Sequence, residues 1–291
     1  MSETHNSYYL PNPSHWPITG SIGLFTIFIG AACWLNQIAV GEWILLAGVA
    51  VLIFMLFGWF GTVIRESVGG KYNNQVDYSF RLGMVWFIFS EVMFFACFFG
   101  ALFYARNFSV PWLGGEGAKF VTHQFLWDSF NASWPMNIMP EPANFTRHTG
   151  VIPAWGVPAV NTLILLSSGA TVTFAHWALK KNQRRALIFW LLATFVLGFT
   201  FVSLQAREYV HAYHELNLTL NSGIYGTTFF MLTGFHGLHV TLGATMLVVI
   251  WLRCIKGHFT PDHHFGFEAV AWYWHFVDVV WLGLFVFVYW I

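Results

Sequence analysis

Seven stretches of this 291-residue chain are each about 20 residues long or longer and almost wholly apolar, which leaves few options for how it can fold. They lie at about 18–37, 43–64, 82–105, 157–179, 186–206, 223–252 and 269–290. A helix crosses the ~30 Å hydrocarbon core of a bilayer in roughly 20 residues. Inside lipid the backbone must satisfy its own hydrogen bonds, so continuous apolar runs of this length are helices, and the alternation of barrel strands is absent. The composition agrees: 57% of residues are hydrophobic and 9% charged, where a soluble domain carries about 25% charged residues. The sequence therefore predicts an all-α integral membrane protein with seven transmembrane helices. The long sixth run predicts a tilted helix.

Seven spans place the termini on opposite sides of the membrane, and basic residues decide which side is which. Arg65, Lys71, Arg81, Lys180, Lys181, Arg184, Arg185, Arg253 and Lys256 fall on one side. Arg106, Lys119, Arg147 and Arg207 fall on the other, three of them in the long segment from Arg106 to Gly156. The richer side is the cytoplasmic type, so the N-terminus is expected inside and the C-terminus outside. The outer loop, about 107–156, is rich in Pro, Gly, Trp and Asn. It is expected to cap the bundle or a neighbouring chain.

Several function classes are excluded. The 13 basic and 13 acidic residues balance, so nothing suggests nucleic acid. There is no phosphate-binding loop or dinucleotide fingerprint at a strand–helix junction. The opening "MSETHNSYYLPNPSHWP" lacks the basic region and apolar core of a signal peptide. Cys33, Cys97 and Cys254 lie in or beside apolar spans, where cysteine acts as a small hydrophobe and not as a disulfide or metal framework.

The most informative residue is Glu91, in "WFIFSEVMFFACFF" at 86–99. It follows Arg81 by ten residues, hence by about 15 Å along a helix, near the middle of the core. An acid there costs on the order of 2.5–3.5 kcal/mol on insertion scales. The charged form is the expensive one and the third span offers no cation, so a protonated carboxyl is expected. It serves either as a hydrogen-bonded joint between helices or as a proton-linked or packing-critical group at a subunit interface. That span contains no second acid with which to build a proton relay.

His236 and His239 on the sixth span, and His275 and Asp278 on the seventh, are each three residues apart and so share a helix face. Two histidines one turn apart on a single helix cannot take opposite faces of one haem. Zinc or diiron would need carboxylates or more histidines converging at one depth. Interhelical hydrogen bonding is the expectation for these four residues. His176 lies near the inner end of the fourth span. His211, His214 and Glu215 in "EYVHAYHEL" look like an interfacial helix, and no metal site is expected. At the inner end of the second span, Phe60, Arg65, Glu66 and Ser67 lie at headgroup depth, and Arg253 and His258 follow the sixth span. Cations and small donors there suit a phospholipid phosphate, although a basic helix flank has the same composition.

The stretches "RLGMVWFIFSEVMFF", "IYGTTFFMLTGFHGLHVTLG" and "HHFGFEAVAWYWHFVDVVW" resemble subunit III of haem–copper cytochrome c oxidase. So do "NPSHWPITG", "VIRES" and "LQAREY", and only about 107–150 matches poorly. The resemblance implies that an N-terminal two-helix unit, 1–81, is splayed from a five-helix bundle, 82–291, by a phospholipid-filled cleft. It implies subunits I and II as partners, with haem and copper held there and none bound by this chain. The implied role is to stabilise subunit I, to keep proton uptake fast and to protect the active site during turnover. Glu91 matches the family's carbodiimide-reactive glutamate. Arg65, Glu66, Ser67, Arg253 and His258 match the lipid headgroup region, and Phe60 stands where some relatives carry tryptophan. A bacterial plasma membrane is expected, ahead of a mitochondrial inner membrane. Two alternatives are a quinol oxidase subunit of the same superfamily and a proton-coupled transporter. The first usually lacks the two N-terminal spans. The second would need a further buried acid, an internal repeat or a broken helix.

Overall fold

The computed structural model describes residues 9–290, which fold as helices joined by turns and loops. The long helices are α1 (Trp16–Leu35), α2 (Gly41–Val68) and α3 (Asn74–Tyr104). After them come the short α4 (Val110–Leu113) and α5 (Phe120–Leu126). The last four are α6 (Val157–Lys180), α7 (Arg184–His214), α8 (Gly223–Lys256) and α9 (Phe265–Leu284). Seven of the described helical segments are long and apolar enough to cross a membrane. The chain is a multi-pass membrane protein.

It divides into two compact units, Met1–Arg81 and Leu82–Ile291. In the first, α1 and α2 pack backbone to backbone. Gly23 and Gly30 on α1, and Gly41 and Gly48 on α2, each repeat after seven residues, the period that keeps one seam facing the partner helix. A Cβ at Gly48 would lie 2.6 Å from the backbone nitrogen of Ile27, and one at Gly23 would lie 3.2 Å from that of Leu52. Close approach through small residues is how helices associate where lipid removes the hydrophobic drive.

The second unit has its core among α6, α7, α8 and α9, where Trp274, Trp281, Phe201, Phe229 and Leu165 are fully buried. Each buried indole finds a hydroxyl on α6: Trp274 donates to Ser168 and Trp281 to Thr162, both at 2.9 Å. A buried N–H without an acceptor would be costly. The Trp274 ring occupies space left by glycines, since a Cβ at Gly198 or Gly243 would come within 2.6 or 2.8 Å of it. Leu82–Tyr104 of α3 joins this core through long aromatic side chains. Phe94 meets Phe235 edge-on at 5.0 Å and Phe95 lies 6.1 Å from Phe276.

The outer segment contains a small core of its own, Val110, Phe130, Met136 and Met139. It is tied to the α7–α8 connection by backbone bonds from Thr146 to Asn221 (2.9 Å) and Thr149 to Leu216 (2.8 Å). His148 is buried there with its ring nitrogens 2.9 and 3.1 Å from the carbonyls of Gly150 and Met136. The segment "EYVHAYHEL" is not a separate helix, because α7 runs unbroken to His214. No glycine or proline interrupts residues 199–214, so the helix continues from the apolar span.

Candidate functional site

Glu91 lies on α3 beside α8. Its Oε2 is 2.9 Å from Nε2 of His239, and the two side chains are 22% and 11% exposed. The other imidazole nitrogen, Nδ1, is 2.6 Å from the carbonyl oxygen of Phe235. A carbonyl only accepts, so Nδ1 carries a hydrogen. Nε2 then either accepts from a neutral carboxyl or donates, as imidazolium, to a carboxylate. Both arrangements have zero net charge and both keep the hydrogen bond. The acid is thereby accommodated in an apolar setting without exposing a lone charge. The hydrogen-bond partner that the third span lacks is supplied by α8. The rings of Phe95 (5.0 Å, edge-on) and Tyr273 (6.4 Å, stacked) hold the imidazole in place.

His236, one turn earlier, departs from the expected polar network. It is fully buried, stacks on Trp281 at 5.2 Å and meets the edge of Phe201 at 5.7 Å. Neither ring nitrogen has a hydrogen-bond partner among the described residues. Three residues turn a helix by about 300°, which points His236 at the α7–α9 core while His239 faces α3. His275 reaches α6 instead, with Nε2 3.4 Å from the Thr173 hydroxyl. Its 3.8 Å separation from Asp278 is too long for a hydrogen bond. Asp278 is buried against Gly169 of α6.

Glu208 on α7 is a second buried acid that sequence reasoning passed over. Tyr289 donates to its Oε1 at 2.6 Å and Gln205 at 3.1 Å. Asn161 of α6 in turn donates to Gln205 at 3.4 Å. The available signal was Gln205 and Glu208 in "LQAREY", three apart on one helix face. A carboxylate and two histidines do converge elsewhere in the chain. His176, His264 and Glu268 bring their ligating atoms within 4.8 Å of one another. Here the signal was the four-residue spacing of His264 and Glu268. His211 and Glu215, by contrast, form an exposed pair at 3.0 Å.

The residues expected at headgroup depth fall in both units. In the first, Arg65 donates to Thr62 at 3.0 Å, while Phe60 is exposed and stacks on Trp59. Ser67 is exposed. Glu66 accepts from both Tyr9 and Tyr72 at 2.9 Å, so each carboxyl oxygen has a partner within the chain. Burial and the adjacent Glu66 push the Tyr72 hydroxyl above its ordinary pKa of 10.0. In the second unit the Arg253 guanidinium lies over Phe259, 4.3 Å from the ring centroid. Burial, then the charges of Arg253 and Lys256, lower the pKa of His258. That end of α8 is thus electropositive at Arg253 and Lys256, with His258 held toward its neutral form.

The family model described as cytochrome c oxidase subunit III matches residues 5–125 and 120–291. Among curated relatives, "Cytochrome c oxidase subunit 3" of Marchantia polymorpha is 40% identical over all of this chain and 98% of its own length. Proteins of the same name from Hippopotamus amphibius and Latimeria chalumnae are each 41% identical, over all of this chain and 99% of theirs.

Proposed function

This chain belongs to the cytochrome c oxidase subunit III family, and from that premise we propose that it is the non-redox core subunit of a proton-pumping haem–copper oxidase in aerobic respiration. Subunits I and II are its partners, and the haems and copper reside there. Its own work is to brace subunit I, to support proton uptake and to hold phospholipid near Arg65 and Arg253. The membrane is a bacterial plasma membrane, with the N-terminus cytoplasmic and the C-terminus periplasmic.

The full-length family match carries the reading. Local chemistry supports it. Both ring nitrogens of His239 are engaged, by Glu91 and by Phe235, and His236 is stacked on Trp281 within the core. His239 joins α8 to α3 through its ring nitrogen, and His236 packs as an aromatic ring against Trp281. Large exposed apolar side chains on α3, including Trp86, Phe89 and Met93, suit lipid or an apolar partner helix.

The test is purification through a tag on this chain. Haem absorbance should co-purify with the complex and be absent from the polypeptide once separated from its partners. A haem spectrum that stays with the isolated chain would overturn the non-redox assignment.

A further inference from the structure

The inner-facing ends of α6 and α9, by the proposed orientation, bring together three side chains that the oxidase reading does not use. His176 lies in the last two turns of α6, His264 is the residue before α9, and Glu268 lies one turn into it. His176 Nε2 is 3.3 Å from His264 Nε2 and 3.5 Å from Glu268 Oε1. His264 Nε2 is 3.3 Å from the same oxygen. Zinc binds imidazole nitrogen and carboxylate oxygen at about 2.0–2.2 Å, and the donors of such a tetrahedron stand roughly 3.3–3.5 Å apart. The three atoms therefore match one face of a tetrahedral site.

The supporting contacts fit as well. His264 Nδ1 is 3.1 Å from the carbonyl oxygen of Thr260, so it carries the hydrogen and turns the Nε2 lone pair toward the cluster. A backbone carbonyl on the distal nitrogen is the usual orienting partner of a ligating histidine. That turn is itself pinned, because the Thr260 hydroxyl accepts from the backbone N–H of His263 at 3.1 Å. The His176 ring packs against Phe267 at 5.4 Å. The three side chains are 23%, 7% and 12% exposed, partly shielded yet reachable. Two imidazoles and one carboxylate form a borderline donor set. It suits zinc better than the all-oxygen cations or thiolate-seeking copper(I).

We propose that His176, His264 and Glu268 form a three-ligand site for a divalent transition metal of the zinc class, with a fourth position open to water, tying the end of α6 to the start of α9. The competing account is a cluster that shares a proton between the imidazoles and the carboxylate and binds no metal.

The experiment uses the complex purified through this chain, with whatever subunits accompany it. It is stripped with a chelator, re-equilibrated with zinc ion, desalted, and its metal counted by mass spectrometry. The wild type should retain one zinc more per complex than His264→Ala. Glu268→Gln, which keeps the size of the side chain, should bind that zinc at least about tenfold more weakly. X-ray absorption at the zinc edge, taken as wild type minus variant, should show two imidazole nitrogens and one carboxylate oxygen. If His264→Ala does not assemble, Glu268→Gln carries the comparison. Equal zinc in the assembled wild type and variants, or an extra zinc without imidazole ligands, would overturn the proposal and leave proton sharing. Because zinc is counted on whatever complex this chain forms, a failure here is distinct from a failure of the oxidase reading.

Discussion

His239 Nε2 lies 2.9 Å from Glu91 Oε2, linking α8 to α3 with residues 148 positions apart in sequence. A pair that is neutral in either proton arrangement resolves the apparent cost of an acid within an apolar span. The cost belongs to an isolated charge, and here the charge, where present, is compensated.

Removing the imidazole should therefore harm packing first. His239→Ala leaves Glu91 without its hydrogen-bond partner, at a cost of about 1–3 kcal/mol for an unsatisfied polar group. The expected outcome is a lower thermal midpoint of the purified complex with the haem spectrum of the remaining subunits unchanged. An unaltered midpoint would show that the pair contributes nothing to the joint.

The glycine seam of the first unit gives a sharper steric test. At Gly48 even one methyl meets the backbone of Ile27 at 2.6 Å, whereas Gly61 on the same helix faces open space within 4 Å. Gly48→Ala should destabilise by about 1–3 kcal/mol through overpacking, and Gly61→Ala should not. Thermal unfolding in detergent, followed by proteolysis at the 36–40 turn, compares the two. Equal effects would contradict backbone-to-backbone packing.

Tyr72 gives a pH signature. Its hydroxyl is pushed above 10.0 in the fold, so folding favours the neutral phenol that donates to Glu66. That contribution is complete below about pH 10, the unfolded value, and is lost as pH rises through the higher folded value. Wild type should exceed Tyr72→Phe in stability at pH 8, and the gap should close above pH 10. A gap that widens with pH would reverse the sign.

On the proposed lipid role, Arg65→Ala with Arg253→Ala removes two guanidinium forks suited to phosphate. Less phospholipid per complex and a shorter active lifetime are expected. Unchanged lipid by phosphorus analysis would leave these residues as an ordinary basic flank.

The spans were legible because an unbroken apolar run needs no partner to be read, and Glu91 was legible because it interrupts one. What α3 meets was not legible. His236 and His239 have the same composition and nearly the same helix face, and only packing sends one into the Trp281 stack and the other to Glu91. Glu208 was hidden in a segment read as interfacial, where an acid needs no explanation. Its burial depends on Tyr289, 81 residues away. His264 and Glu268 straddle a loop–helix junction, and their third partner, His176, comes from a helix 88 residues earlier than His264. Local periodicity finds none of these.

The central claim is that Glu91 joins helices and does not carry pumped protons. Glu91→Gln keeps the shape and a donor for His239 Nε2, and the Nδ1 bond to Phe235 is untouched. Bulky modification of Glu91 should do more harm than this exchange, because it forces the α3–α8 joint apart. The direct measurement is proton release per electron by the Glu91→Gln oxidase reconstituted in vesicles. Normal assembly with most electron transfer and pumping retained is the predicted result. Abolished pumping in an intact complex would contradict it and make Glu91 a proton carrier.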